Sequence, residues 1–284
     1  MTGAVWLTEA DVAETVTLPD AVDAGRAALI AEHEGSAQTM AKTALAWDGG
    51  HTLHALGGLD RSTGLVAAKT WAHTAGGAEP VLAVWDAETG RLVAMIEAFA
   101  LGQLRTAAVS AVAIEAMAAP DASTVAIIGT GKQALPQVAA ALDRRAIAEV
   151  RVFSPTPAHR EAFAERLRPH VATVVCDAAP TADIVITATR ARQPVLHRVP
   201  PGALVVAVGA ITPERAELDG ATEVVPLSAV VAGSVTVPGA GHRVFKAMGL
   251  GLADLAVAGE VLRRAAGRGV PIADRRRAAP RWFT

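Results

Sequence analysis

The rhythm of apolar positions changes near residue 118. From Ser123 onward, apolar runs of strand length recur at Thr124–Ile128, Val150–Phe153, Thr173–Val175, Asp183–Thr187, Ala203–Val208 and Glu223–Leu227. Helical stretches at Ala134–Arg144 and Ala158–Leu167 separate several of them. Continuous rather than alternating runs predict strands covered on both faces. Strand and helix in alternation predict a parallel α/β sheet. The first 118 residues read as mixed. Thr8 with Asp11 predicts a capping box and a short helix, and a helix is expected from Pro19 to about His33, closed by Gly35. Short β-rich pieces follow at Thr43–Trp47, Thr52–Leu56 and Leu65–Trp71. Val81–Asp86 and Leu92–Glu97 flank Ala87-Glu88-Thr89-Gly90, a hairpin signal. The stretch from about Gln103 to Met117 is Ala-rich, lacks Gly and Pro, and predicts a helix before Pro120. A last helix is expected from about Arg243 to Ala266. The fold class is therefore α/β: a Rossmann-type parallel sheet domain over 119–259, plus a smaller mixed α+β domain over 1–118 that the segment 260–284 rejoins.

Composition narrows the function classes. The chain has 284 residues, 51% hydrophobic and 19% charged, with net charge −2. That balance argues against nucleic acid as main partner, since phosphate binding needs a basic face. No run of about 18 uncharged apolar residues marks a membrane span. The first residues lack the basic and apolar regions of a signal peptide. Cys176 is the one cysteine, which excludes an internal disulfide framework and fits a cytoplasmic protein. It is expected to be a small buried hydrophobe. The histidines show no metal-ligand spacing, and His51 and His54 read as structural or loop residues.

The chemistry concentrates in Val125-Ala126-Ile127-Ile128-Gly129-Thr130-Gly131-Lys132-Gln133-Ala134. Gly-x-Gly-x-x-Ala between a buried strand and a helix is a dinucleotide turn. Gly129 permits the tight turn. Gly131 lets a pyrophosphate approach the backbone, and Ala134 lets helix and strand pack closely. Thr130, Lys132 and Gln133 complete the loop, whose helix offers free N–H groups to phosphate. Pro136 is comfortable only within the first turn of that helix. After the second strand an NAD site carries an acid for the ribose hydroxyls. Here Ser154, Thr156, His159 and Arg160 follow instead and suit a 2′-phosphate, so NADP(H) is favoured over NAD(H). Thr187, Ala188 and Thr189, with Val208 and Gly209, end two further strands at the carboxyl edge where ligands sit.

Several segments together resemble the ornithine cyclodeaminase/mu-crystallin family. They are Ala68-Lys69-Thr70, Arg105-Thr106-Ala107-Ala108-Val109-Ser110-Ala111, the glycine turn, Ala182–Thr189, Val208-Gly209-Ala210 with Glu217-Leu218-Asp219, and Val244-Phe245-Lys246-Ala247-Met248-Gly249 with Asp254. The resemblance implies a homodimer whose N-terminal domain supplies subunit contacts and substrate residues, and a Rossmann domain holding a nicotinamide cofactor. Members include cyclodeaminases, amino-acid dehydrogenases, cyclic ketimine reductases and a hormone-binding crystallin. The favoured expectation is an NAD(P)H-dependent reductase of a small imine, equivalently an amino-acid dehydrogenase. The alternatives are a cyclodeaminase and a non-catalytic NADPH-dependent binder.

The same resemblance assigns roles. Arg105, near a helix start, clamps a substrate carboxylate and touches the cofactor with Thr106. A fork of this kind binds carboxylate bidentately. Lys69 ends an apolar strand where the family's matching lysine contacts substrate, and since a lysine held in a cleft can donate a proton, it is expected to be the proton donor. Lys42 falls where the family carries a substrate-binding arginine and keeps the charge without the fork. Lys246 and Met248, at the start of the last helix, lie against cofactor and substrate, with Ala247 where the family often has Ser. Ile211 replaces an aspartate that exchanges protons in cyclodeaminases, which counts against the lyase. Glu214, Glu217 or Asp219 would otherwise have to supply that group, and Glu217 and Asp219 read as turn or helix-cap residues. Trp71–Pro80 is a brief, Gly-rich loop where the family has a longer one.

Overall fold

The computed structural model describes residues 3–191, 193–209, 217, 226–237, 243–246 and 249–272. The chain opens with β1 (Val5–Leu7), α1 (Glu9–Thr15) and α2 (Leu18–His33). Thr8 and Asp11 close a capping box on α1, as their spacing predicts. Six β-strands follow: β2 (Ala37–Thr39), β3 (Thr43–Trp47), β4 (His51–Asp60), β5 (Leu65–Thr74), β6 (Gly77–Ala78) and β7 (Val81–Asp86), then β8 (Leu92–Glu97) across the expected hairpin. With β1 and β15 (Val270–Pro271) they form a sheet of order β15-β1-β8-β7-β5-β4-β2, with β3 on β4 and β6 on β5. Its outermost member, β15 (Val270–Pro271), returns from the C-terminal end of the chain to pair with β1. The Gly-rich segment expected as a loop after Trp71 is instead strand: β5 runs to Thr74 and turns back into β6 through Gly77, whose φ is +114°.

Helix α3 (Phe99–Met117) joins the two halves. It starts four residues earlier than the sequence implies, because the Glu9 carboxylate accepts hydrogen bonds from the N–H groups of Phe99 and Ala100 at 2.7 and 2.6 Å. A distant carboxylate thus meets the free donors and positive end of the helix. Residues 106–114 of α3 are all buried, so the helix is a central rod rather than a surface one. It packs against α2 and against α4 (Ala134–Arg144).

The second sheet is built from β9 (Thr124–Ile128), β10 (Glu149–Phe153), β11 (Ala172–Val175), β12 (Ile184–Thr187), β13 (Leu204–Ala207) and β14 (Arg243–Lys246), with α4 (Ala134–Arg144) and α5 (Pro157–Leu167) as crossovers. The order β11-β10-β9-β12-β13-β14 is parallel throughout. This is the doubly wound order whose ligand crevice opens at the carboxyl ends of β9 and β12, where the strand order reverses. Pro136 falls in the first turn of α4. Leu227 opens α6 (Leu227–Val231) rather than ending a strand, and 223–225 lie outside the described residues.

The expected last helix from Arg243 is two elements. Val244 and Phe245 extend the parallel sheet as β14, and α7 (Gly251–Arg264) begins only after Gly249 and Leu250. The packing of α7 differs from expectation too. It lies on α2, α3, β4 and β5, so the return to the first half begins at Gly251 rather than near residue 260. Its approach depends on missing side chains. A Cβ on Gly251 would sit 2.1 Å from the Gly57 carbonyl oxygen, and one on Gly58 would sit 2.7 Å from the Leu252 Cα. Helix and strand touch backbone to backbone.

Gly251→Val is expected to destabilise the chain by about 3 kcal/mol through overpacking. Urea unfolding of the variant beside the parent checks this, and an unchanged midpoint would show the seam to be slack.

Candidate functional site

The glycine turn has the geometry its residues require. Gly129 has a φ of +102°, and a Cβ there would lie 2.5 Å from the Ala188 carbonyl oxygen. Only glycine fits so close to the segment leaving β12. Gly131 differs: a Cβ on it would meet nothing within 4 Å. Its open side is the place where a pyrophosphate would lie against the backbone. Gln133 is the N-cap residue of α4, and its Oε1 is buried without a hydrogen-bond partner. Lys132 ties the loop to α3. Its carbonyl accepts from Gln103 Nε2 at 2.8 Å, and its ammonium lies 5.0 Å from the centre of the Phe99 ring. The open face of Gly131 beside the N-terminus of α4 fits the phosphates of a dinucleotide, whereas the buried Gln133 Oε1, an acceptor, does not contribute to that fit.

The neighbouring strand ends are held by a group that sequence reading placed as a turn or cap. Glu217 is buried, and its carboxylate accepts from Thr187 Oγ1 at 2.7 Å, Thr189 N at 3.0 Å, Thr189 Oγ1 at 2.7 Å and Gly209 N at 3.0 Å. A side chain on Gly209 would collide with that carboxylate at 2.4 Å. Glu217 therefore buckles together the carboxyl ends of β12 and β13. Thr187 is fully buried, with its hydroxyl committed to Glu217, so it shapes the edge instead of facing a ligand as expected. Ala188, Thr189 and Val208 lie on the segments leaving these strands.

At the end of β10, Ser154 is buried while Thr156 and His159 are exposed. Arg160 lies over the Phe153 ring at 5.9 Å and donates to Asp177 at 2.9 Å.

The second half of the site stands on β5. Lys69 is 4% exposed and donates to Asp254 Oδ1 at 2.5 Å. The same oxygen lies 3.2 Å from Arg105 Nε. Asp254 itself is fully buried, one turn into α7. Burial pushes the Lys69 ammonium down to about 8, with Arg105 and Lys42 adding repulsion and Asp254 opposing them. Arg105 lies in the second turn of α3, not at its start as the sequence implied, because α3 begins at Phe99. Thr106 bonds back to the Gly102 carbonyl at 2.7 Å and is buried.

Trp71, two residues beyond Lys69 on the same face of β5, forms a wall. Lys69 Nζ lies 5.5 Å and Lys42 Nζ 5.7 Å from its ring centre. His54, opposite Trp71 in the β4–β5 register, stacks on the ring at 4.9 Å. Its pKa is lowered by burial and then by Lys42. The Lys42 stem runs beside Gly249, where a Cβ would stand 3.5 Å from Lys42 Cδ. The structure thus brings Lys42, Lys69 and Arg105 together, as expected. It adds Trp71, His54 and Asp254, of which only Asp254 had a signal, as part of the last motif. Lys246 ends β14 at the carboxyl edge, rather than starting a helix. The chain has four lysines, Lys42, Lys69, Lys132 and Lys246. Met248, Ala247, Ile211, Glu214 and Asp219 lie outside the described residues. Cys176 is half-buried rather than a core residue. Among the described residues no cluster of three His, Cys, Asp or Glu could hold a metal, and no helix is long and apolar enough to cross a membrane.

Residues 4–236 match the sequence pattern of the Ornithine cyclodeaminase/mu-crystallin family. The chain belongs to this family. It is 34% identical over 140 residues to ketimine reductase mu-crystallin of Mus musculus, a match covering 48% of this chain and 45% of that protein. It spans about half the length of the first curated relatives it matches. A delta(1)-pyrroline-2-carboxylate reductase of Bacillus cereus is 31% identical over 229 residues, covering 65% of this chain and 70% of the relative. The fold is shared with an archaeal alanine dehydrogenase dimer with bound NAD, at TM-score 0.89 and 23% identity over 95% of this chain and 99% of that one. Family membership and shared fold agree on a Rossmann-type sheet joined to a mixed sheet.

Because the space beside Gly131 is open, Gly131→Val is expected to leave thermal stability within about 0.5 kcal/mol of the parent. The same change should weaken NAD(P)H binding at least about tenfold, since a branched side chain there displaces the pyrophosphate. Fluorescence titration of the reduced nucleotide reads this directly, and unchanged affinity would remove the turn from the site.

Proposed function

We propose that this chain is an NAD(P)H-dependent reductase of a small, carboxylate-bearing imine, equivalently an amino-acid dehydrogenase working at a C=N bond. The observation that carries this reading is Lys69: a buried ammonium, poised near neutrality, beside an arginine fork and reached from the same helix α3 that anchors the glycine turn. The names of the relatives support it, since ketimine and pyrroline-carboxylate reductases both act on C=N groups.

A nicotinamide cofactor held at the turn supplies the hydride. The residues of the chain do the rest. Arg105, ion-paired through Nε to Asp254 at 3.2 Å, offers its guanidinium to a substrate carboxylate. Lys42 adds a second positive charge beside Trp71. Lys69 gives its proton to the imine nitrogen as the carbon is reduced, so C=N becomes CH–NH. Trp71 and His54, stacked on each other, form an aromatic flank beside Lys42 and Lys69.

The cofactor is NADP(H) in preference to NAD(H). No acid follows β10, and Ser154, Thr156 and His159 lie there with Arg160 close behind. The chain works as a cytoplasmic homodimer. Leu45, Trp47 and Leu53 form an exposed apolar patch on β3 and β4, and Leu45 is 64% exposed. A second copy of the same sheet is the partner that suits such a face.

The test is oxidation of NADPH and NADH with five- and six-membered cyclic imino acids. Turnover is expected, and Lys69→Met is expected to lower kcat by about 10²–10³, the usual worth of a positioned acid. As Lys69 deprotonates near pH 8, reduction should slow above that pH while the reverse oxidation, which needs a neutral lysine, should quicken. Nucleotide binding without turnover of any imine would overturn the reading. Light scattering checks the dimer, which Leu45→Glu with Trp47→Glu should split.

A further inference from the structure

Asp254 has no access to solvent, yet its carboxylate is paired with two cationic side chains. A buried carboxylate is tolerable only when matched by positive groups and hydrogen bonds. Here the match is double and asymmetric. Oδ1 accepts a hydrogen bond from Lys69 at 2.5 Å and lies 3.2 Å from Arg105 Nε as an ion pair without hydrogen-bond geometry, while Oδ2 has no hydrogen-bond partner among the described residues. The helix that carries Asp254 is pressed onto β4 by the Gly251–Gly57 contact, which leaves it little freedom to retreat. Three elements, β5, α3 and α7, therefore meet at one oxygen atom.

We propose that Asp254 is the positioning residue of this site: it fixes Lys69 and Arg105 in a single geometry and keeps the Lys69 ammonium charged, so that the proton donor is loaded when substrate arrives. The role rests on the reading of Lys69 as proton donor. Asp254 does not touch substrate and acts through its two partners. The groups that bear on Lys69 are few: Asp254 from α7, Arg105 from α3, and Lys42 from the segment before β3, with His54 of β4 across the Trp71 ring. Of these, Asp254 is the one negative charge, and it alone opposes burial and two neighbouring cations. Without it the lysine would give up its proton to water before reaching the substrate.

The experiment is an NMR titration of the full-length protein with lysine labelled with ¹³C at Cε. The chain has four lysines, so four signals are expected, and Lys69→Met assigns one. In the parent, Lys69 should be charged at pH 7. In Asp254→Asn its midpoint should fall by about one pH unit or more. The alkaline limb of the kcat profile for imine reduction should move down by the same amount, with activity recovered near pH 6. Asp254→Glu, which keeps the charge, should restore the midpoint. A role limited to folding would lower kcat at every pH without moving either midpoint, and that result would overturn the proposal. Should neither variant fold, the parent alone decides: a Lys69 that is neutral at pH 7 overturns the proposal, and a charged one supports it. A shifted Lys69 midpoint in a protein that reduces no imine would support the role of Asp254 in holding Lys69 and overturn only the catalytic reading.

Discussion

One buried oxygen of Asp254 sets the terms for half of this structure. Removing a carboxylate from water costs several kcal/mol unless cations take the place of the solvent. Lys69 and Arg105 do so, from two different elements. The consequence runs outward. To satisfy Asp254, α7 must lie against β4 and β5, and the glycines at 57, 58 and 251 allow it to come that close. Because α7 follows β14 directly, the parallel sheet is bound to the mixed sheet by the same contact. The ion cluster is thus both a structural tie between halves and the centre of the candidate chemistry.

The other half is organised by a second buried carboxylate. Glu217 gathers donors from the ends of β12 and β13, where a doubly wound sheet opens. Its hydrogen bonds satisfy backbone groups that the strands leave behind, as buried polar groups require. The effect is a rigid rim beside the glycine turn. Helix α3 then couples rim and cluster: its second turn carries both Gln103, which holds the Lys132 carbonyl, and Arg105. Pre-organisation of this kind keeps Lys69, Arg105 and the glycine turn in one frame.

The parts legible in the sequence were those with local physical causes. The strand–glycine–helix pattern at 124–134 gave the dinucleotide turn, because tight turns and close approach demand glycine whatever surrounds them. Continuous apolar runs gave the parallel sheet. Where the cause was distant, the reading went astray. Helix α3 starts early because of Glu9, ninety residues away. Residues 243–246 form a strand because β13 offers a free edge, which outweighs their proximity to a helix. Trp71 and His54 gave no sign, since a stacked pair across two strands depends on register alone.

The sequence by itself determined the family, the class of fold and the residue types available for chemistry, since backbone freedom and hydrophobic period are properties of short segments. Tertiary structure alone decided which charges meet. Lys69 and Asp254 lie 185 positions apart, and no local pattern connects them. Their pairing follows from how close α7 can approach β4, which is a matter of packing between elements. The same holds for Glu217, which looks like a loop residue in the chain and is a clasp in the fold. An ionic contact is specified by where backbones can go, and that is settled only when the sheets, helices and glycine seams are all in place.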